Sequence, residues 1–336
     1  MDTLHQRWSS RAKLKAFARK FHEMSPNIDL PLRIRNLHHQ LNGKSKNLAV
    51  AAFFLFATAA PSLAMQKGVG SDYAPGYSIG NPLAMMQPAG LYWGQKASFS
   101  TAQSVNNAGA DSGVHTNMYL TTSMLMWTTN YRFLGARYGA YAYNIGVSHA
   151  NITTASHKTG DATSANDFEF DPVYLSWKLN KHIFASISEG FNAPIGSYDA
   201  TRLINIGHDR YTFQQHVNLA YISSKYLVVA NGVISVNTPN RHYNYTSGAT
   251  YDIDLTAARK FGAFLTGPVG YAYNQFGTDS GPSNLNAGKP VELAAGWLVG
   301  YKIGNLSLNT YITQDVYARN IGKQTKLWVS LLYHIE

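Results

Sequence analysis

From Gly90 onward the sequence repeats one pattern: segments of about ten residues in which apolar and polar side chains alternate, separated by turn residues. A period of two puts successive side chains on opposite faces of a strand. Near the C-terminus Val291, Leu293, Ala295, Trp297, Val299 and Tyr301 share one face, opposite Glu292, Ala294, Gly296 and Gly300. Leu306, Leu308 and Ile312 oppose Ser307, Asn309, Thr313 and Asp315. Leu327, Val329, Leu331, Tyr333 and Ile335 oppose Ser330, His334 and Glu336. Similar splits group Tyr141, Tyr143, Ile145 and Val147; Val173, Leu175, Trp177 and Leu179; and Tyr251, Ile253 and Leu255. No long amphipathic helix competes with this pattern.

Twelve such segments are centred near residues 95, 121, 142, 174, 186, 215, 230, 251, 268, 296, 311 and 330. Tight links are expected around Asn130, Asn180-Lys181, Ser223-Ser224, Ala258-Arg259-Lys260 and Ile303-Gly304-Asn305. Longer polar loops are expected over 102–113, 151–167, 190–208, 237–246 and 276–288, with a shorter one at 319–324. Turns and loops that alternate in length describe an all-β fold, a transmembrane antiparallel up-and-down β-barrel of about 12 strands. Its turns would be periplasmic, its loops extracellular, and both ends of the barrel periplasmic. Composition agrees. Charged residues are only 14% of the chain, against roughly 25% in soluble domains. Yet mean hydropathy is −0.21, and no apolar run reaches the roughly 20 residues of a membrane helix. Alternation hides a barrel's apolar face from such averages. Tyr92-Trp93, Trp127, Tyr131, Tyr271, Tyr273 and Trp328 fall near strand ends, where interfacial girdles sit. A soluble β-sandwich is disfavoured because its strands typically run to five or six residues.

The net charge of +10 suggests a nucleic-acid partner until it is located. Residues 1–46 hold ten Lys and Arg against three Asp and Glu, and residues 65–336 hold 18 basic and 15 acidic side chains. The excess lies in a leader. Lys44 and Lys46 precede an apolar run from Leu48 to Ala60, and small residues follow at Ser62 and Ala64. This order marks a secretory signal cleaved between Ala64 and Met65. The extension upstream of it has two readings, a start site placed too early or an extended basic n-region in which Leu14, Phe17 and Phe21 line one face. The chain therefore divides into residues 1–64, an extension and signal peptide to be removed; 65–89, a segment before the first strand; and 90–336, the barrel. Residues 65–89 contain Pro75, Pro82 and Pro88 and four glycines, a composition that forms no strand. Two readings stand: a periplasmic tail, or a plug in the lumen with Met85 and Met86 as adaptable apolar contacts.

The sequence carries no recognisable catalytic pattern. There are no cysteines, so neither a disulfide nor a thiolate site exists. Outer-membrane phospholipases carry His and Ser two positions apart, on one face of a strand; none of the twelve histidines here has Ser at i+2. Neither a phosphate loop, an HExxH helix nor paired zinc ligands are present. No enzyme, cofactor or metal site is expected. Parity instead directs Lys178, Gln214, His216, Asn218, Asp252, Asp254, Glu292, Asn309, Thr313 and Asp315 into the lumen. They form either a hydrogen-bonded filling or the polar lining of a solute path.

Several runs occur in a distinctive order: Pro88-Ala89-Gly90-Leu91-Tyr92; the run from Ala193 to Gly207; Tyr211-Thr212-Phe213; Tyr245-Thr246-Ser247-Gly248 with Asp252; and Gly270-Tyr271-Ala272-Tyr273-Asn274-Gln275 leading to Asp279-Ser280-Gly281. In these the chain resembles the outer-membrane family named for the meta-pathway of phenol degradation, which includes the SphA-like transporters. The resemblance implies a channel for uptake of small hydrophobic or aromatic compounds, with no cofactor and no catalytic residues. The alternatives are a closed barrel that works through surface binding and a general small-solute porin. Expected partners are outer-membrane lipid and lipopolysaccharide, the small solute, and the barrel-assembly machinery during export; nucleic acid is not among them, and the chain is expected to be a monomer. One departure is the end of the chain, Tyr333-His334-Ile335-Glu336, where such barrels commonly finish on an aromatic residue.

Overall fold

The computed structural model describes residues 68–283 and 288–335, and the regular elements among them are all strands. They are β1 (Gly90–Val105), β2 (Asp111–Phe133), β3 (Ala136–Ile145), β4 (Val147–Thr153), β5 (Thr159–Ala165), β6 (Phe168–Lys178) and β7 (Ile183–Ala193). Then come β8 (Thr212–Ile222), β9 (Tyr226–Asn237), β10 (Thr250–Phe261), β11 (Phe264–Gln275), β12 (Val291–Ile303), β13 (Leu306–Arg319) and β14 (Ile321–His334). The expected cleavage point at Ala64 and Met65 lies outside the described residues.

All strand pairs are antiparallel. β1 closes the ring, pairing with β14 from Tyr92↔His334 to Val105↔Ile321 and with β2 on its other side. Both β3 and β4 lie along β2, β4 pairs with β5, and β3 pairs with β6. Thus β3–β4 and β5–β6 are each one kinked stave, and the barrel has twelve. The kink has a local cause. Asn144 adopts φ 64°, and at Gly146 a Cβ would lie 2.0 Å from the Thr121 carbonyl oxygen. Side chains replace the missing ladder bonds: Asn144 Nδ2 donates to Asp167 O at 2.8 Å, and Asn166 Nδ2 donates to Thr121 O at 2.8 Å.

Burial is inverted relative to a soluble protein. Phe213, Trp297 and Ile312 are 57%, 53% and 50% exposed, whereas Asp254, Glu292 and Asp315 are at most 1% exposed. Apolar side chains face outward and polar ones inward because a transmembrane barrel meets lipid outside and itself within. The β1–β14 pairing closes the sheet into a ring, as a lipid-exposed sheet requires, and β5 is paired on one side only, with β4. The protein is a transmembrane β-barrel of the outer membrane.

Several expectations are corrected. Residues 151–167 are mostly a hairpin, β4 and β5, turning tightly where Thr154 N donates to Lys158 O at 2.8 Å. Polar residues on both faces made it resemble a loop. The link expected at Asn130 lies at Leu134-Gly135, and Ala258–Lys260 belong to β10, which turns at Gly262-Ala263. Tyr271, Tyr273 and Trp328 point into the lumen rather than into a girdle, each at most 3% exposed. Tyr141 and Tyr143 likewise turn inward, while Ile145 and Val147 face out, because the stave changes face at its Asn144 kink. Trp127 and Tyr131 remain outside.

Candidate functional site

The lumen is occupied by the chain's own residues 68–89, which run its whole length. At the long-loop end Gly68 O accepts from Asn205 N at 2.9 Å, and Gly70 O lies 3.3 Å from His208 Nε2. Asp72 follows, paired with Arg210 at 2.5 Å and accepting from Asn237 Nδ2 at 2.9 Å. At mid-height Gly76 N, Ser78 N and Ser78 Oγ donate to the Asp254 carboxylate at 2.8, 2.6 and 2.7 Å. Asn231 Nδ2 donates to Ser78 O and Asn81 O, and Tyr311 OH to Gly76 O. Lower down Ser176 Oγ donates to Ala84 O at 2.7 Å, Tyr174 OH to Leu83 O at 2.7 Å, and Met86 N to Ser176 Oγ at 3.2 Å. The segment reaches the short-turn end at Pro88, whose carbonyl accepts from Tyr92 OH and Thr128 Oγ1. It joins no ladder; the wall grips its backbone with side chains.

Apolar contacts complete the grip. Ile79 is fully buried among Leu298, Tyr311, Tyr271 and Trp328. Met86 packs with Tyr92, Met126 and Tyr174. The Tyr77 ring stacks on Tyr143 and meets Trp328 edge-on. Lys96 Nζ stands 4.7 Å from the centre of the Tyr77 ring and donates to the Tyr77 carbonyl. A cation over an aromatic face is stabilised by the ring quadrupole, most strongly away from water.

Of the residues assigned to the lumen by parity, Gln214, His216, Asn218, Asp252, Asp254, Glu292, Thr313 and Asp315 are buried. Asn309 is half-buried, with Nδ2 3.5 Å from Gly80 O. Lys178 is not in the lumen: it is exposed at the end of β6, at the short-turn rim. Met86 is buried against the wall, and Met85 is half-buried. The set separates into groups. Asp254 and Asn309 contact the segment. Glu292 and Asp315 accept from Gln324 Nε2 and Gln324 N, each at 2.6 Å, and Asp315 also accepts from Tyr271 OH at 2.5 Å. Asn218 donates to Ser186, and His216 lies beside Glu169 and Asp171. Sequence reasoning missed Lys96, Lys326, Glu169, Asp171, Asn231, Arg210 and Tyr311. Parity finds Lys96 and Lys326 once β1 and β14 are read like their neighbours. Glu169 and Asp171 are hidden by the irregularity between Phe170 and Val173, which shifts the alternation of β6.

Of the distinctive runs noted in the sequence, Ala193–Gly207, Tyr245–Gly248 and Asp279–Gly281 build the extracellular cap, whereas Pro88–Tyr92 lies at the short-turn end. Gly196 and Gly207 are in backbone contact, and a Cβ on Gly207 would lie 2.3 Å from Gly196 O. Asp167 holds this loop by accepting from Gly196 N, His208 N and His208 Nδ1 at 2.8, 2.9 and 2.8 Å. Burial alone would raise the Asp167 carboxyl, but the His208 hydrogen bond and charge hold it below its ordinary value. Burial opposes charge on His208 as well, and the bond to Asp167 with its negative charge raises the imidazole above its ordinary value. Across the mouth Tyr245 OH, Gly248 N and Gln275 Nε2 all donate to Asp279 at 2.6 Å, and Thr246 bridges Ser280.

On the outer wall Phe191, Phe213, Ile234, Val236 and Pro172 border an open cleft of about 450 Å³. Gln214, from the lumen side, contributes to its lining. The cleft lies where the β6–β7 ladder is interrupted between Phe170 and Val173.

Comparison with known proteins gives a family and a fold. Residues 94–331 match the family model described as "Putative MetA-pathway of phenol degradation". The chain is similar in structure to an outer membrane channel from Pseudomonas putida F1, with TM-score 0.62 and 13% identity over 76% of this chain and 98% of that one. It is also similar to the transport unit of the autotransporter AIDA-I from Escherichia coli, with TM-score 0.50 and 12% identity over 77% and 96% of the two chains. No curated protein matches the sequence significantly.

Proposed function

The chain belongs to this phenol-degradation family, and from that premise we propose that it is an outer-membrane channel for uptake of small hydrophobic or aromatic compounds. The observation that carries the reading is the filled lumen. Residues 68–89 thread the lumen, which argues against a general water-filled pore, and they are held by side chains rather than by a ladder. A segment bound in this way leaves without unpairing a strand. The wall it leaves behind is rich in rings, with Tyr143, Tyr174, Tyr271, Tyr311 and Trp328 all buried there. Such a surface suits an aromatic solute better than an ion. The similar channel from Pseudomonas putida supports the same architecture.

In this reading residues 65–89 are a plug, residues 1–64 are removed on export, and the mature chain works as a monomer. It is inserted by the barrel-assembly machinery into lipid and lipopolysaccharide, and its polar lining orients solute without catalysing a reaction. Uptake of labelled phenol-like and fatty compounds in a deletion strain tests the reading. Uptake of at least one class should fall and be restored by the wild-type gene. Equal uptake of every compound in both strains would remove the transport reading and leave the fold standing. N-terminal sequencing that found residues 1–64 retained would refute the division of the chain.

A further inference from the structure

One group of potential metal ligands stands on the lumen wall apart from the gripped segment. Glu169 and Asp171 lie on β6 and His216 on β8, with ligand atoms all within 4.8 Å of one another. His216 Nε2 is 3.3 Å from Glu169 Oε1 and 3.8 Å from Asp171 Oδ2. β6 and β8 are not neighbours, because β7 runs between them. Small residues on β7 permit the approach. Ser188 sits opposite His216. At Gly190 a Cβ would fall 1.7 Å from Asp171 Oδ1, so the carboxylate fills the space that this glycine leaves.

The group is not satisfied by the protein. All three side chains are at most 3% exposed. Neither oxygen of Asp171 nor Nδ1 of His216 makes a hydrogen bond of good geometry among the described residues; the Tyr141 hydroxyl beside Asp171 is bonded to Ser188. A buried carboxylate with neither oxygen paired is strongly unfavourable. His216 cannot serve both acids, since Nε2 lies nearer Glu169 and 3.8 Å is too long for a hydrogen bond. The buried cations nearby are engaged elsewhere: Arg210 pairs with Asp72, and Lys96 and Lys326 donate to backbone carbonyls of the segment. Turning the Gln214 amide lets its Nε2 donate to Glu169 Oε2 at 2.7 Å while its Oε1 accepts from Ser235. That is the outer support expected of a ligating carboxylate.

We propose that Glu169, Asp171 and His216 bind one divalent transition-metal ion of the Zn²⁺ class, which ties β6 to β8 across β7. Around a tetrahedral Zn²⁺ with bonds of about 2.0–2.1 Å, donor atoms stand roughly 3.3 Å apart. The two separations from His216, 3.3 and 3.8 Å, lie near that value, and the carboxylates, with ligand atoms within 4.8 Å of each other, would close toward the ion. An imidazole with two carboxylates suits Zn²⁺ better than Mg²⁺ or Ca²⁺, which prefer shells of six or more oxygens. The tie falls where the pairing of the wall is interrupted. The β6–β7 register breaks between Phe170 and Val173, and Pro172 there has no N–H to donate. The ion replaces the lost ladder contact with a cross-strand clamp.

The test uses the mature barrel in detergent, stripped with chelator and then titrated calorimetrically with Zn²⁺. One equivalent should bind and raise the midpoint of heat-induced unfolding, read from the mobility shift on a gel. Asp171→Asn and His216→Gln should each weaken binding at least tenfold and abolish the shift in midpoint. Binding that is absent, or unchanged in both variants, overturns the proposal; the carboxylates are then neutralised by protonation. If a variant fails to fold, X-ray absorption of the Zn²⁺-loaded wild-type chain decides. A shell of one imidazole with oxygen donors supports the site, and two or more imidazoles place the ion elsewhere and overturn it.

Discussion

Replacing Asp254 by alanine removes the carboxylate that holds the middle of the lumen segment while leaving the β10 ladder intact. It accepts from Gly76 N, Ser78 N and Ser78 Oγ at 2.6–2.8 Å. A hydrogen bond to a charged group contributes about 1.5–3 kcal/mol net. The two Ser78 donors share one oxygen, so the three bonds do not simply add, and about 3 kcal/mol is a fair loss for the group. That energy corresponds to roughly a hundredfold change in the ratio of released to seated segment. The assay is single-channel recording in planar bilayers, with a chain lacking residues 68–89 as the fully open reference. Asp254→Ala should raise open probability by roughly two orders of magnitude toward that reference, with Asp254→Asn intermediate. An open probability within threefold of wild type, against a reference that conducts steadily, refutes the claim that Asp254 is a principal hold. A reference that does not conduct refutes the claim that the segment blocks the path.

Three further outcomes are expected. Because Gly70 lies at the long-loop end and is exposed, Gly70→Cys should react with a membrane-impermeant maleimide on intact cells, whereas Lys225→Cys at a short turn should react only after permeabilisation. The His208–Asp167 anchor has a defined pH window. The raised imidazole contributes fully below its ordinary value of 6.5 and loses that contribution as pH rises through the higher folded value; the lowered carboxyl contributes above its ordinary value of 3.8 and fails as pH falls through the lower folded one. Hydrogen exchange of residues 195–208, corrected for intrinsic rates, should therefore accelerate on the alkaline side in wild type but not in His208→Ala. Ile312, exposed midway along β13, meets lipid, so Ile312→Arg should cost about 2–4 kcal/mol and lower the yield of heat-modifiable barrel; full yield would misplace the membrane belt.

The barrel was legible because its physics is local and repeated. Strands β8 to β12 and β14 each alternate along a single parity, and β13 does so as far as Asp315, so strand number and outward face follow from period two. Past Asp315 a bulge turns both Val316 and Tyr317 outward and buries Ala318. Parity failed where the backbone breaks step. At Asn144 a left-handed residue turns one stave over, sending Tyr141 and Tyr143 inward. Beyond Phe170 the irregular pairing of β6 leaves Glu169 and Asp171 out of phase with Tyr174 and Ser176. Tyr271, Tyr273 and Trp328 misled for another reason: an aromatic residue near a strand end suits a lipid interface and a plugged lumen equally well. Composition excluded a strand for residues 65–89 and left open where they go. Many contacts of residues 68–89 span more than a hundred positions in sequence, as between Ser78 and Asp254, and no local pattern encodes such a pairing.

The direction in which residues 68–89 cross the lumen bears on what the interior is for. β1 begins at the periplasmic end, yet Gly68 touches the extracellular loop at Asn205, so the chain passes through the barrel before it enters the wall. The Asp254 carboxylate, Asn231 Nδ2, Ser176 Oγ and Tyr311 OH are bonded by this segment, mainly through its backbone, and an empty lumen would have to satisfy them with water. The segment therefore fills the space beside a wall whose strands carry both polar and aromatic side chains, space that a water column would otherwise take. A solute that displaces only part of it, for instance the Ile79 contact with Leu298 and Trp328, meets rings on one side and leaves the Asp254 and Asn231 holds in place. Under the proposed uptake reading, partial displacement of that kind is the state expected to admit an apolar guest without a path for ions. Full release, as in the deletion, is the state expected to open both. Comparing solute uptake with ion conductance in the two separates selective uptake from a pore.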